Sequence, residues 1–118
     1  MNITMYHNPR CSKSRATLEL LRERGIEPRI VEYLQAPPSR AELEALLAAL
    51  GKTPRELARR GEAAWNELAL DDADDARVLD ALLAHPVLIE RPIVVNGARA
   101  AIGRPPEAVL ALLDGPSA

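Results

Sequence analysis

NITMYHNPRCSKSRATLELLRERGIEPRIVEYL, residues 2–34, carries the pattern on which the fold turns. Asn2 to Tyr6 is a short, partly β-branched run bounded by Asn8-Pro9, which suits a buried strand. From Ser12 to Arg24, Ala16, Leu18, Leu20 and Leu21 recur at helical spacing among charged residues, and Gly25 supplies a stop. Arg29 to Leu34 alternates enough to be a second strand. The stretch therefore reads as strand, helix, strand, with Cys11 at or next to the first turn of the helix.

Beyond it the character becomes helical. Ser39 and Glu42 form a capping box ahead of Leu43, Leu46, Leu47 and Leu50, an apolar stripe at i, i+3, i+4, i+7. Thr53-Pro54-Arg55-Glu56 repeats the start signal and predicts a short helix bearing Arg55, Arg59 and Arg60. Trp65 to Leu70 suggests a further turn. Asp74 to Ala84 sets Val78, Leu79, Leu82 and Leu83 on one face, with acidic residues at the start, where the helix dipole favours them. The run Asp71 to Asp75 reads as a solvated helix entrance, not a metal site, and His85-Pro86 as a helix terminator.

Strand chemistry returns at Pro92 to Ile102, where Asn96-Gly97 signals a hairpin. Gly103-Arg104-Pro105-Pro106 opens a last helix carrying Val109, Leu110, Leu112 and Leu113, and the tail Gly115 to Ala118 is expected to fray. A βαβ unit, a helical insert and a ββα unit follow in order. That is the plan of an α/β thioredoxin- or glutaredoxin-like mixed sheet with an all-helical insert at about 36–88. With 118 residues, the chain is expected to make a single domain over 1–118.

Composition narrows the function. A net charge of −2 argues against a broad nucleic-acid surface, so any anion bound should be small and met by a local cluster. The lone cysteine cannot form an internal disulfide, and neither a leader nor an apolar run of membrane-spanning length is seen; a soluble, cytoplasmic protein in a reducing compartment, without membrane partners, is expected. Glycine-rich phosphate loops, zinc-spaced Cys and His clusters, and the phosphatase-like loop with its glycines and arginine are missing from the sequence.

The chemistry gathers at HNPRCSKSR, residues 7–15. A helix N-terminus offers unpaired N–H groups and a positive dipole end, and Arg10, Lys13 and Arg15 add full charges. The hydroxyls of Ser12 and Ser14 could donate to sulfur or to an oxyanion, and His7 could add a proton or a charge. These features favour a thiolate at Cys11, against the alternative of a small, inert buried side chain. Arg91, before Pro92, and Arg104, before Pro105, border segments that such a fold brings beside the helix start. Arg59 or Arg60 could lean over the same place from the insert. Converging guanidinium groups would suit a tetrahedral oxyanion.

YHNPRCSKSR at 6–15, YLQAPPSRAEL at 33–43, HPVLIERPIVV at 85–95 and GRPPEAVLALL at 103–113 together resemble the arsenate reductase family that works with glutathione and glutaredoxin. The resemblance implies a thioredoxin-like fold, Cys11 as nucleophile, and arsenate held by Arg91, Arg104 and Arg59, with Arg60 as the register alternative. It further implies that His7 and Ser14 help to stabilise the thiolate and that Pro92 is the cis-proline beside the site. No bound cofactor is implied; glutathione is a co-substrate and glutaredoxin a partner. Ser12-Lys13 stands where well-studied reductases have Gly-Thr. Two other functions remain open at this point: a glutaredoxin-like thiol oxidoreductase, and a redox-related regulatory binding protein, whose usual C-x-x-C pair is here Cys11 and Ser14.

Overall fold

Four strands form one sheet in the order β2-β1-β3-β4: β1 (Ile3–Tyr6), β2 (Arg29–Val31), β3 (Ile93–Asn96) and β4 (Arg99–Ile102). This computed structural model describes residues 2–113, so the expected fraying of 115–118 lies outside the described residues. The chain divides into two compact units, residues 1–36 with 91–118, and residues 37–90. Among the described residues no helix is long and apolar enough to cross a membrane.

In the first unit β1 runs parallel to β2, with Met5 opposite Ile30, and antiparallel to β3, with Tyr6 opposite Ile93. The parallel pair needs a crossover, which helix α1 (Ser12–Glu23) provides. Gly25 follows it at φ 77°, a backbone that only glycine adopts without strain. The core between helix and sheet consists of Ile3, Met5, Leu21, Val94, Val109 and Leu112. Each such side chain contributes about 1.5–3 kcal/mol when fully removed from water, enough to fix the strand register, since a one-residue slip would turn Ile3 and Met5 outward.

The second unit is helical: α2 (Arg40–Leu50), α3 (Pro54–Leu57), α4 (Ala63–Glu67), α5 (Asp75–Ala84) and a short 3₁₀ helix, Pro86–Leu88. Both capping boxes read from the sequence are formed, Ser39 with Glu42 and Thr53 with Glu56. Asp74 caps α5 by accepting from the Arg77 N–H, and Asp71 accepts from the Trp65 indole at 2.7 Å. Trp65 is 1% exposed and carries the Arg55 guanidinium over its ring.

Several element ends differ from the sequence reading, each through a contact that local periodicity does not encode. Strand β2 stops at Val31 instead of Leu34, because the Glu32 carbonyl accepts from the Gln35 and Ala36 N–H groups and closes a turn. Helix α3 ends at Leu57, so Arg59 and Arg60 are not on it: Ala58 is extended and bridges Ile89. The hairpin turns at Gly97-Ala98, not at Asn96-Gly97. Asn96 stays in the strand opposite Arg99, buried, with its amide donating to the Leu112 carbonyl. The last helix, Pro106–Leu112, is 3₁₀ rather than α. Three residues per turn align Val109 with Leu112, and these are its two buried residues.

Candidate active site

Cys11 is the N-cap of α1, with extended backbone (φ −91°, ψ 123°) and no capping bond from its own side chain. Its N–H donates to the Asn8 carbonyl at 3.0 Å, and its carbonyl accepts from Arg15. Asn8 to Cys11 is therefore a single tight turn. The Asn8 side chain closes it further by accepting from the Arg10 N–H, and the Arg15 guanidinium donates to the Pro9 carbonyl. Asn8 is 8% exposed. The Asn-Pro pair marked a turn in the sequence, but not that its asparagine would hold the cysteine's backbone.

The Cys11 sulfur sits among donors. Burial pushes the thiol up, but the Ser14 and Lys13 backbone N–H groups and the Arg91 guanidinium, hydrogen-bonded to the sulfur, outweigh it and hold the thiol below its free value. Arg104 adds a second guanidinium, with Nη2 at 3.5 Å from Sγ, and its Nε donates to the Arg91 carbonyl at 2.8 Å. The two arginines are thus tied to each other as well as to the sulfur. The antiparallel register explains why Arg91 reaches: Tyr6 opposite Ile93 sets the start of β3 beside the loop that leaves β1. The Arg91–Pro92 and Arg104–Pro105 peptide bonds are both cis, the first as the resemblance implied.

The side chains of His7 and Ser14 are brought into a hydrogen bond with each other. Nδ1 of His7 lies 2.6 Å from Ser14 Oγ, which also accepts from the Asn8 N–H at 3.0 Å. Burial lowers the His7 pKa from its ordinary value, with Arg22 and Arg15 acting the same way against Glu32, so the ring is neutral near pH 7. Ser14 is fully buried. Its hydroxyl ties α1 to the loop that leaves β1, while its backbone N–H donates to the Cys11 sulfur.

Arg59 belongs to the second unit. There it is half-buried, with Nε 3.3 Å from Glu62 and Nη1 2.5 Å from Glu90. Burial alone would lower its pKa; the two carboxylates outweigh it and keep the group firmly charged. Its neighbour Arg60 is exposed.

One determinant escaped the sequence reading. Gly103 is buried where β4 ends, and a Cβ built there would lie 2.4 Å from Thr17 Oγ1 and 2.7 Å from Pro92 Cγ. Thr17, fully buried on α1, donates to the Lys13 carbonyl at 2.8 Å. A polar, β-branched residue within the apolar stripe was the available signal.

A helix N-terminus that bears a cysteine, set against a four-stranded mixed sheet with a cis-proline at the neighbouring strand, is the arrangement of the thioredoxin-like class. Within that class the chain belongs to the ArsC family, whose sequence profile matches residues 6–112. It is 50% identical to "Arsenate reductase" of Rhizobium meliloti (strain 1021), over 96% of this chain and 82% of that protein. It is also 48% identical to "Uncharacterized protein YfgD" of Escherichia coli (strain K12), over 94% and 96%. Among solved structures, "Arsenate reductase from Vibrio cholerae" matches with TM-score 0.91 and 46% identity, over 94% of this chain and 97% of that one.

Proposed function

We propose that this protein reduces arsenate to arsenite in the cytoplasm, with Cys11 as nucleophile and an external thiol system, glutathione with glutaredoxin, as reductant. The observation that carries the reading is the pair of guanidinium groups, Arg91 and Arg104, on the Cys11 sulfur at a helix N-terminus, in a chain of the ArsC family. Positive donors around a thiolate both keep it deprotonated and receive a tetrahedral dianion.

In the first step the Cys11 thiolate attacks arsenic, an arsenate oxygen leaves as water after taking up protons, and a sulfur–arsenic bond forms. Arg91 and Arg104 hold the remaining oxygens, whose charge shifts during displacement. Glutathione replaces a second oxygen. A glutaredoxin thiol then takes the glutathione sulfur, two thiols become one disulfide, and the electron pair reduces As(V) to As(III); water adds to the arsenic, breaks its bond to the Cys11 sulfur, and releases arsenite and the free thiol. Overall one arsenate and two thiols give arsenite, one disulfide and one water. A chain with a single cysteine needs both reducing thiols from outside. His7 and Ser14 contribute by fixing the loop, leaving the Ser14 N–H aimed at the sulfur.

The test is arsenate-dependent NADPH oxidation coupled through glutathione, glutaredoxin and glutathione reductase. Turnover is expected for the wild type and loss of it for Cys11→Ser. Undiminished turnover in the variant would refute the mechanism, and none in the wild type would refute the substrate.

A further inference from the structure

The parallel strands β1 and β2 both end at one small groove. It is formed by the turn after β1, with His7, Pro9 and Arg10, and by the chain after β2, with Glu32, Leu34 and Gln35. The His7 N–H donates to the Val31 carbonyl and stitches the two strand ends together, so the groove walls are fixed by the sheet. Crevices outside the carboxyl ends of parallel strands are where open α/β sheets receive ligands. This one lies against the turn that bears Cys11, since Asn8 to Cys11 is closed by the 3.0 Å bond between their backbones.

The groove is charged in a specific way. Arg10 and Glu32 stand on its lining, both exposed, and among the described residues neither side chain takes part in an ion pair. On the same lining Leu34, 44% exposed, supplies an apolar wall and Gln35 an amide. A cation, an anion and an apolar wall in one cleft match a ligand end that carries a carboxylate and an ammonium on a short methylene stem. The volume, about 220 Å³, is below the ~300–1,000 Å³ of sites that enclose a drug-sized ligand, so it accepts the head of a small molecule and not the flank of a folded protein.

We propose that this groove seats the amino-acid head of the small peptide thiol that reduces Cys11, with its carboxylate on Arg10 and its ammonium on Glu32. The inference rests on the external-thiol reading above and assigns that thiol a place. An extended tripeptide spans ~10 Å, and Arg10 directly precedes Cys11 in the chain, so a head held by Arg10 and Glu32 brings the thiol of the same molecule to the turn that carries the sulfur. Charge recognition of this kind selects among thiols that are equally good nucleophiles.

The experiment needs no arsenate. Cys11 thiolate attacks one sulfur of glutathione disulfide; its S–S bond breaks, a Cys11–glutathione disulfide forms, and the second glutathione leaves as thiolate. The rate is followed by mass spectrometry and divided by the rate with hydroxyethyl disulfide, which has no charged head. Glu32→Gln decides the matter, because a general field and a seated head predict opposite signs. Removing a negative charge near a dianionic disulfide raises the ratio if only the field acts. With a seated ammonium the ratio falls, by about fivefold on the scale of one exposed ion pair. Arg10→Gln should lower it too, while iodoacetamide alkylation of both variants shows the thiolate retained. A ratio that rises or stays level in Glu32→Gln overturns the proposal. Normal arsenate turnover with that result removes the groove alone; a ratio lowered by Glu32→Gln, in a protein whose wild type shows no arsenate turnover, keeps the groove and removes the substrate.

Discussion

Replacing Gly103 by alanine tests whether the packing beneath the site sets the chemistry above it. The new Cβ would meet Thr17 Oγ1 at 2.4 Å, Pro92 Cγ at 2.7 Å and Thr17 Cγ2 at 3.2 Å. Ordinary contact begins near ~3.5 Å, so the segment must withdraw by roughly 1 Å. Neither neighbour yields easily: Thr17 is fully buried and bonded to the Lys13 carbonyl, and Pro92 is a rigid, buried ring. The displaced residue is then Arg104, whose Nη2 is already 3.5 Å from the sulfur. Losing that contact removes a hydrogen bond to a charged group, worth ~1.5–3 kcal/mol, or about one to two pKa units at 1.36 kcal/mol per unit. Overpacking costs a further ~1–3 kcal/mol of stability.

The expected result is a Cys11 titration raised by about one unit, read from iodoacetamide alkylation rate against pH, together with a lower melting temperature and about tenfold lower kcat/KM for arsenate. Thr17→Ala in the same chain removes two of the three close contacts and should return part of the shift, as coupled neighbours do. A melting temperature that falls while the Cys11 titration stays put would refute the reasoning, since Gly103 would then serve packing alone.

Other consequences follow from the same geometry. Ser14→Ala strips the buried His7 ring and the Asn8 N–H of their shared partner, so urea unfolding should show about 1–3 kcal/mol lost. His7 has a folded pKa below its free value of 6.5. The unfolded chain therefore binds the proton first on acidification, and the stability from the neutral ring is complete above pH 6.5 and is lost as the pH falls through the folded value. Thermal melts taken from about pH 7.5 down to about pH 5 should fall more steeply for the wild type than for His7→Gln. Ser39→Ala opens the capping box of α2 and should cost about 1 kcal/mol, with little change in the alkylation of Cys11.

The legible parts of the chain were those governed by neighbours within one or two turns. The Leu43, Leu46, Leu47 stripe and its Ser39 box gave α2, Asp74 gave the start of α5, and the apolar run before Asn8-Pro9 gave β1. Ends decided by distant partners were misplaced. Ala58 leaves the helix to bridge Ile89, and Asn96 stays in its strand to reach Leu112, and no window of a few residues contains those partners.

For the site, the sequence by itself determined a cysteine at a helix N-terminus among cations, because that follows from a strand, a turn and a helix in succession. It also determined that Cys11 has no partner cysteine in the chain with which to form a disulfide. Only the tertiary structure decided which donors meet the sulfur. Ser14 contributes its backbone N–H while its hydroxyl turns to His7, and Arg91 and Arg104 arrive from about eighty and ninety positions away, 93 in the case of Arg104. The physical reason is that helix and turn propensities are local, whereas convergence on a sulfur depends on the β1–β3 register and on the space that Gly103 leaves between Thr17 and Pro92.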